Sequence, residues 1–251
     1  MDLVPLTEFD PDRRAVLEPR EFYENLVIPE RVVGCFFYDV IAEVTAGLAP
    51  VYRIPVEHGA HPIWVLDVMG ETIGVFNPGV GAPLAATCLE AVIGLGGRKV
   101  IVCGGAGQLV PGFDVGHVVV PTSALRDEGT SFHYLPPGRY VEPSPTAVAA
   151  IIAVLKAEGV PHEQARTWTT DGLFRETRAK VARRVEEGCI TVEMEASALF
   201  AVAQFRDIEL GQLLYCGDDL SAEEWDHRHW DKHANVRRRL FDLAVASVLR
   251  L

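Results

Sequence analysis

The strongest constraint on this chain is a set of short apolar runs that lack the in-and-out alternation of a half-exposed strand. Lys99–Cys103 reads Lys-Val-Ile-Val-Cys, and Gln212–Cys216 reads Gln-Leu-Leu-Tyr-Cys. A strand without alternation has both faces covered, as in a central sheet with helices on its two sides. Further strand-like runs are Val32–Phe37, Ile63–Met69, Thr72–Phe76, His117–Pro121, Arg166–Thr170 and Cys189–Val192, most of them ending at Gly, Pro or Asp. Helical periodicity falls between and after them, in Pro83–Leu95, Pro145–Glu158, Glu176–Glu187, Glu193–Phe205 and Ala234–Leu249. Pro83 and Pro145 suit first-turn positions, and Gly159 and Gly188 suit helix stops. No linker, composition break or repeat interrupts the alternation. The expectation is a single α/β domain over residues 1–251, with a mixed, mostly parallel central sheet flanked by helices.

Composition narrows the partners. With 251 residues, 49% of them apolar and 23% charged, the chain can build a core without disulfides or metal. A net charge of -12 disfavours nucleic acid, since phosphate backbones need a basic face. It does not exclude a small anion held locally by backbone N–H groups. The cysteines at 35, 88, 103, 189 and 216 are odd in number and scattered, with no C-x-x-C pair, so buried free thiols are expected. Met1–Pro11 lacks a basic-then-apolar signal pattern. The longest apolar stretch, Ala147–Leu155, is about half of the roughly 20 residues that a spanning helix requires. A cytoplasmic protein with no membrane partner is expected.

Four segments carry the chemistry. Gly104-Gly105-Ala106-Gly107 follows the run Lys99–Cys103 and first suggests a dinucleotide fold. That fold needs a helix directly after the glycines. Here Gln108–Asp114 and then another strand follow, so the dinucleotide reading fails. What remains is a glycine-rich turn, either an anion-binding nest or a place of close backbone packing. Asn77–Pro83 is a second glycine loop, leading from a strand into a helix. Thr191–Ser197 sets Glu193 and Glu195 around Met194 at a strand-to-helix junction. Acids there commonly answer the helix dipole. Glu195, however, heads a nearly all-apolar helix and needs a polar partner, for which a sugar's vicinal hydroxyls are natural donors. Finally, Asp218 and Asp219 end a strand, where ligands of α/β sheets bind; mutual repulsion would let one of them keep a proton and act as a general acid. His227, His229 and His233 lie among Trp225, Arg228, Trp230 and Lys232, which reads as a polar lid, and no metal is expected. No Gly-x-Ser-x-Gly elbow supports serine hydrolysis.

Taken in order, these segments resemble the nucleoside phosphorylase family, which holds purine nucleoside phosphorylases, uridine phosphorylases and related nucleosidases. The resemblance runs from about Ile73 to Leu249. Its most specific pieces are Gly188–Ala196 with the Val-Glu-Met-Glu-Ala string, Ala124–Ser131, and Asp171–Thr177. It implies that Met194 and Glu195 hold the ribose, that the base lies near Leu173, Phe174 and Val192, and that Asp218 protonates a purine leaving group. Gly104, Gly105 and Gly107 would border inorganic phosphate, the co-substrate, and no other cofactor is implied. Family members assemble as dimers, trimers or hexamers, so a homo-oligomer is expected. Three places depart from the pattern. The arginine before the glycine run and the Ser or Thr within it are replaced by Val102 and Gly105. No Gly-Asp-Pro loop occurs in residues 1–50, and Thr177 and Ala179 stand where uridine phosphorylases carry a Gln-x-Arg pair. Arg126, with Arg178 and a neighbouring subunit's Arg53 as alternatives, is the candidate replacement for the phosphate arginine. The activity expected is transfer of ribose from a purine-preferred nucleoside to phosphate. The alternatives are a nucleosidase using water and a catalytically silent nucleoside-binding protein.

Overall fold

The computed structural model describes residues 4–23, 27–57 and 59–251; the first three residues of the N-terminal segment read above lie outside them. The strands are β1 (Arg31–Cys35), β2 (Tyr52–Val56), β3 (Gly59–Val68), β4 (Glu71–Phe76), β5 (Lys99–Gln108), β6 (Val118–Asp127), β7 (Tyr140–Val141), β8 (His162–Thr170), β9 (Cys189–Glu193) and β10 (Glu209–Asp219). The helices are α1 (Pro19–Phe22), α2 (Tyr38–Val44), α3 (Ala82–Gly94), α4 (Pro145–Ala157), α5 (Arg178–Glu186), α6 (Ala196–Arg206) and α7 (Ala234–Val248). All the strands join one mixed sheet in the order β10-β6-β8-β9-β5-β1-β4-β3-β2, with β7 on β6, and β10 also pairs with β5. The inner pairings β4–β1–β5–β10 and β6–β8–β9 are parallel, while β2–β3–β4, β10–β6 and β5–β9 are antiparallel. Because β10 pairs with both β5 and β6, the strands β5-β10-β6-β8-β9 close into a ring from which β1, β4, β3 and β2 continue as an open sheet.

Burial explains the unalternated runs. Val100, Val102 and Leu210 pack into one core layer with α3 and α6, whereas Ile101, Cys103, Leu213 and Tyr215 face a second layer with α4 and α7. From Ala196 to Ala203 every residue of α6 is buried, so a helix with no polar stripe is the expected result. Gly159 and Gly188 adopt φ of 63° and 85° just past α4 and α5, as their stop positions require. All five cysteines are free and buried. Burial pushes the thiols of Cys88, Cys189 and Cys216 up to about 12, which keeps them inert at neutral pH. Among the described residues no helix is long and apolar enough to cross a membrane.

The structure departs from the sequence expectation at the glycine run. Gly104–Gly107 is not a turn: β5 runs straight through it to Gln108. Gly104 and Gly105 pair with Leu214 and Tyr215 of β10, and Gly107 pairs with Val192 of β9. The run at His117–Pro121 likewise continues to Asp127 as β6, and the helix expected from Glu193 starts at Ala196 because Glu193 still belongs to β9.

The core around α6 yields a direct test. Phe200 is fully buried between α3 and the sheet. Phe200→Ala should lower the unfolding free energy by about 3–5 kcal/mol in urea titration, the usual cost of an aromatic-sized cavity. A loss below about 1 kcal/mol would contradict this packing.

Candidate active site

The site forms where β5 changes partners. From Lys99 to Cys103 it pairs with β1, and only at Gly107 does β9 take up the same side. Beyond Cys35 the chain turns away through Phe36 and Phe37 into α2, leaving the backbone of Gly104–Ala106 beside a gap. That gap is a cavity of about 310 Å³, with the glycines, Val192, Met194, Glu195, Gln212 and Arg237 on its wall. A second lobe of about 570 Å³ shares Leu173, Asp218 and Trp230 with it and is closed by Phe174, Glu176 and Trp225. The open position at a strand-order switch is where α/β sheets bind ligands.

The glycines shape this wall by being small. A Cβ on Gly104 would stand 2.9 Å from the Phe36 ring, and one on Gly107 would stand 2.7 Å from Leu220 Cδ1. In an extended strand successive N–H groups point to opposite sides, so they cannot converge on one anion. The anion nest expected of Gly104, Gly105 and Gly107 is therefore absent, although all three line the cavity. Arg126 is also turned elsewhere. Its Nε donates to Ser131 Oγ at 2.8 Å, its Nη groups donate to the carbonyls of Pro136 and Leu135, and its guanidinium lies 4.2 Å from the Phe132 ring centre. It is not among the groups that line either lobe. The cation on the inner wall is instead Arg237 of α7, paired with Asp39 at 3.0 Å and stacked 4.8 Å from the Phe37 ring centre. Next to Val102 in the register, Gln212 also faces the inner lobe, and its buried Oε1 has no partner.

The two glutamates at the junction have different tasks. Glu193 Oε1 accepts from Thr169 Oγ1 at 2.6 Å, and its Oε2 accepts from the backbone N–H groups of Glu195 at 2.8 Å and Ala196 at 2.6 Å. It is thus the anionic cap of α6, the common role of acids at helix starts. Glu195 stands at the N-cap position but leaves the capping to Glu193. Its side chain is turned toward the glycine loop, where Gly81 N–H, at φ 98°, donates to Oε1 at 2.6 Å. Burial pushes both carboxyls up; the charge of Glu193 raises Glu195 further, and the charge of Glu128 adds to the rise at Glu193. Three donors oppose the shift at Glu193, so Glu195, with fewer, is the one that takes a proton first.

The two aspartates likewise part. Asp219 accepts from Ser221 N–H at 2.7 Å and from Gln108 Nε2 at 3.3 Å, and it pairs with Arg228. It is a structural anchor, held by the residues of its own loop and by Gln108 of β5. Asp218 accepts from Trp225 Nε1 at 2.7 Å and borders both lobes. Its acidic neighbour is Glu176, which the sequence reading passed over: burial, then the charge of Asp218, pushes Glu176 up to about 7, with Lys180 opposing. Leu173 and Phe174 are 54% and 95% exposed, whereas Val192 is buried, so the three expected base contacts reach the cavity from its rim and its floor. Trp225 and Trp230 of the expected lid wall the outer lobe, and His227 packs edge-on against Trp225 at 5.2 Å. Glu193→Ala should destabilise the chain by about 2–3 kcal/mol in denaturant titration, because two buried backbone donors lose a charged acceptor. Wild-type stability would show that Glu193 is not the cap.

Residues 38–250 match the family model described as the phosphorylase superfamily. The chain is 24% identical over 177 residues to the guanosine phosphorylase of Halorubrum lacusprofundi, covering 68% of this chain and 73% of that protein. It is 23% identical over 164 residues to the uridine phosphorylase of Haemophilus influenzae, covering 60% of this chain and 65% of that one. The fold superposes on the uridine phosphorylase of Vibrio fischeri ES114 with a TM-score of 0.75 at 21% identity, over 89% of this chain and 93% of the other. It superposes on the AMP nucleosidase of Bacteroides thetaiotaomicron with a TM-score of 0.69 at 22% identity, over 88% of each. With 213 consecutive residues spanned by the family model, from 38 to 250, and the same fold in both neighbours, this chain belongs to the phosphorylase superfamily.

Proposed function

We propose that this chain cleaves the N-glycosidic bond of a purine nucleoside and passes the ribose to inorganic phosphate. The observation that carries the reading is the buried Glu195 carboxyl, 6% exposed, set beside Met194 on the wall of a cavity that also holds Asp218. A ribose with its hydroxyls on Glu195 meets a strong acceptor, and negative charge beside an oxocarbenium-like sugar lowers the barrier. Leu173, Phe174 and Val192 then flank the base. Asp218, at the junction of the lobes, delivers a proton to a ring nitrogen as the bond to the sugar breaks. The name of the Halorubrum relative favours a purine. So does the larger, tryptophan-walled outer lobe, which has room for a bicyclic base.

Phosphate needs a cation, and Arg237 is the one that borders the inner lobe. Arg53 of β2 is exposed, so it is free to serve a neighbouring copy of the chain. Water as acceptor is the second reading, and specific observations favour it. The glycine strand offers no nest, Val102 is apolar, Arg126 is engaged elsewhere, and Arg237 is already neutralised by Asp39. Gln212, a neutral amide that can both donate and accept, suits water as well as it suits an anion.

The ribose assignment predicts a pH profile. Glu195 must be ionised to accept from the sugar hydroxyls, and its carboxyl is pushed up, so activity rises with pH through that raised value. The acid limb of kcat/KM should lie well above the ordinary glutamate value of about 4.3. Sugar hydroxyls stabilise the carboxylate, so the limb of kcat should lie lower. Glu195→Gln should lose at least about 100-fold in kcat/KM and lose the limb as well. An unshifted limb, or one that survives in the variant, removes Glu195 from the ribose.

The acceptor is settled by base release from a nucleoside in phosphate-free buffer and in millimolar phosphate. Phosphate dependence with ribose 1-phosphate as product supports the first reading. Equal rates with free ribose as the sole sugar product make the chain a nucleosidase. No cleavage of any nucleoside, with retained nucleoside binding, makes it a binding protein.

A further inference from the structure

Trp225 stands where no packing requirement explains it. It is 56% exposed and belongs to no core layer of the described residues. The segment that carries it is already held by other groups. Asp219 and Asp226 exchange backbone hydrogen bonds at 2.9 and 3.0 Å. Arg228 pairs with Asp219 and donates to Gln108 Oε1 at 3.2 Å and to the carbonyl of Phe113 at 3.0 Å. What is left to Trp225 is one polar contact: its Nε1–H donates to Asp218 Oδ2 at 2.7 Å. The His227 ring, edge-on at 5.2 Å, braces the indole. The other carboxyl oxygen of Asp218 lies inward, since a Cβ on Gly107, which lines the inner lobe, would stand 3.4 Å from Oδ1. One oxygen of Asp218 is thus committed to Trp225, and the other faces the wall between the lobes.

We propose that Trp225 is a positioning residue for the leaving-group proton: by holding Asp218 Oδ2 it keeps the acid's proton on Oδ1, the oxygen that faces the cavity. This rests on the reading that Asp218 protonates a purine, and it names the group that orients that acid. An indole N–H can only donate. A proton on Oδ2 would compete with it for the same oxygen, so the proton is favoured on Oδ1. The step balances without a further reactant. The Oδ1 proton passes to a ring nitrogen, the electron pair of the glycosidic bond goes to the base, and the electron-poor sugar goes to the acceptor. Asp218 is left as a carboxylate, and a hydrogen bond to a carboxylate is stronger than one to the neutral acid. The contact with Trp225 therefore tightens as the proton leaves, which places its strength in the transition state. It also fixes the plane of the carboxyl, and small misplacements of a catalytic group are costly in rate.

The test is a double-mutant cycle with Trp225→Phe and Asp218→Ala, read on guanosine and inosine. Phenylalanine keeps an aromatic ring on the wall and removes the N–H donor. In an otherwise wild-type chain, Trp225→Phe should lower kcat at least about tenfold, the weight of one hydrogen bond to a charged group, with KM within about threefold and an unchanged melting profile. In the Asp218→Ala background the same change should cost less than about threefold, because no carboxyl is left to orient. A tryptophan that only stacks on the base would raise KM and cost the same in both backgrounds; that result overturns the proposal. So does a kcat within about threefold of wild type in Trp225→Phe. The contact is read without turnover from the indole N–H signals in proton–nitrogen NMR spectra. The Trp225 signal, identified by its loss in Trp225→Phe, should move upfield in Asp218→Ala while those of Trp64 and Trp168 stay in place, and an unmoved signal overturns the contact. Wild-type activity in Asp218→Ala, or a wild type that releases no base, overturns the reading of Asp218 as the acid and this role with it. An Asp218→Ala defect without coupling to Trp225 overturns the role of Trp225 alone.

Discussion

Strand β5 lies where the closed ring of strands meets the open part of the sheet, and the arrangement of the cavity depends on the place where its partners change. On one side it is paired with β10 along nearly its whole length. On the other it is paired first with β1 and then, after a break at Gly104–Ala106, with β9. A backbone edge left unpaired inside a protein is costly unless something occupies it. Here the edge faces a cavity, bounded by the ends of β1, β9 and β10. Small residues suit this wall: a Cβ on Gly104 would crowd Phe36 at 2.9 Å, and one on Gly107, just past the break, would crowd Leu220 at 2.7 Å.

Glu193 fixes what enters that gap. By accepting from Thr169 of β8 and from the N–H groups of Glu195, the N-cap, and Ala196, the first residue of α6, it joins a strand and a helix with a single buried carboxyl. Glu195 is thereby freed from capping and turned toward Gly81, the N-cap of α3. Below this junction, Glu128 accepts from Ser131 and from Ser197 Oγ, and Ser197 N–H donates to Thr169 Oγ1. A satisfied polar network of this kind holds its members in one geometry, since breaking any link strands a buried partner. The glutamate with least support in the network is the one that faces the cavity. Its raised affinity for a proton is the electrostatic counterpart of a carboxyl waiting for donors.

Much of the candidate site was legible locally. The Val-Glu-Met-Glu-Ala string places an apolar helix directly after a strand with acids at the joint, and that local chemistry is what the structure displays. The tryptophans expected in a lid do line the outer lobe, with His227 beside them. Two readings failed for a shared physical reason. Glycine is permissive in turns and in tightly packed strands alike, so Gly104–Gly107 gave no sign of which one it was. Arginine is equally at home on phosphate or on backbone carbonyls, and Arg126 found Pro136 and Leu135. Glu176 carried no local signal at all. Next to the capping Thr177, it looked like an ordinary acid in the first turn of a helix.

The sequence by itself determined the class of fold, because strands apolar on both faces and a helix with no polar stripe can be satisfied only inside a layered α/β core. It also determined which acids sit at strand ends, because strand and helix boundaries follow from residue periodicity within a few positions. Only the tertiary structure decided which of those acids face the cavity. Glu193 and Glu195 are two residues apart, as Glu176 and Arg178 are, yet each pair is divided between a structural contact and an open wall. That division depends on Thr169, Gly81, Asp218 and Leu220, partners distant in sequence, and hydrogen bonding and charge act over distance in space rather than along the chain.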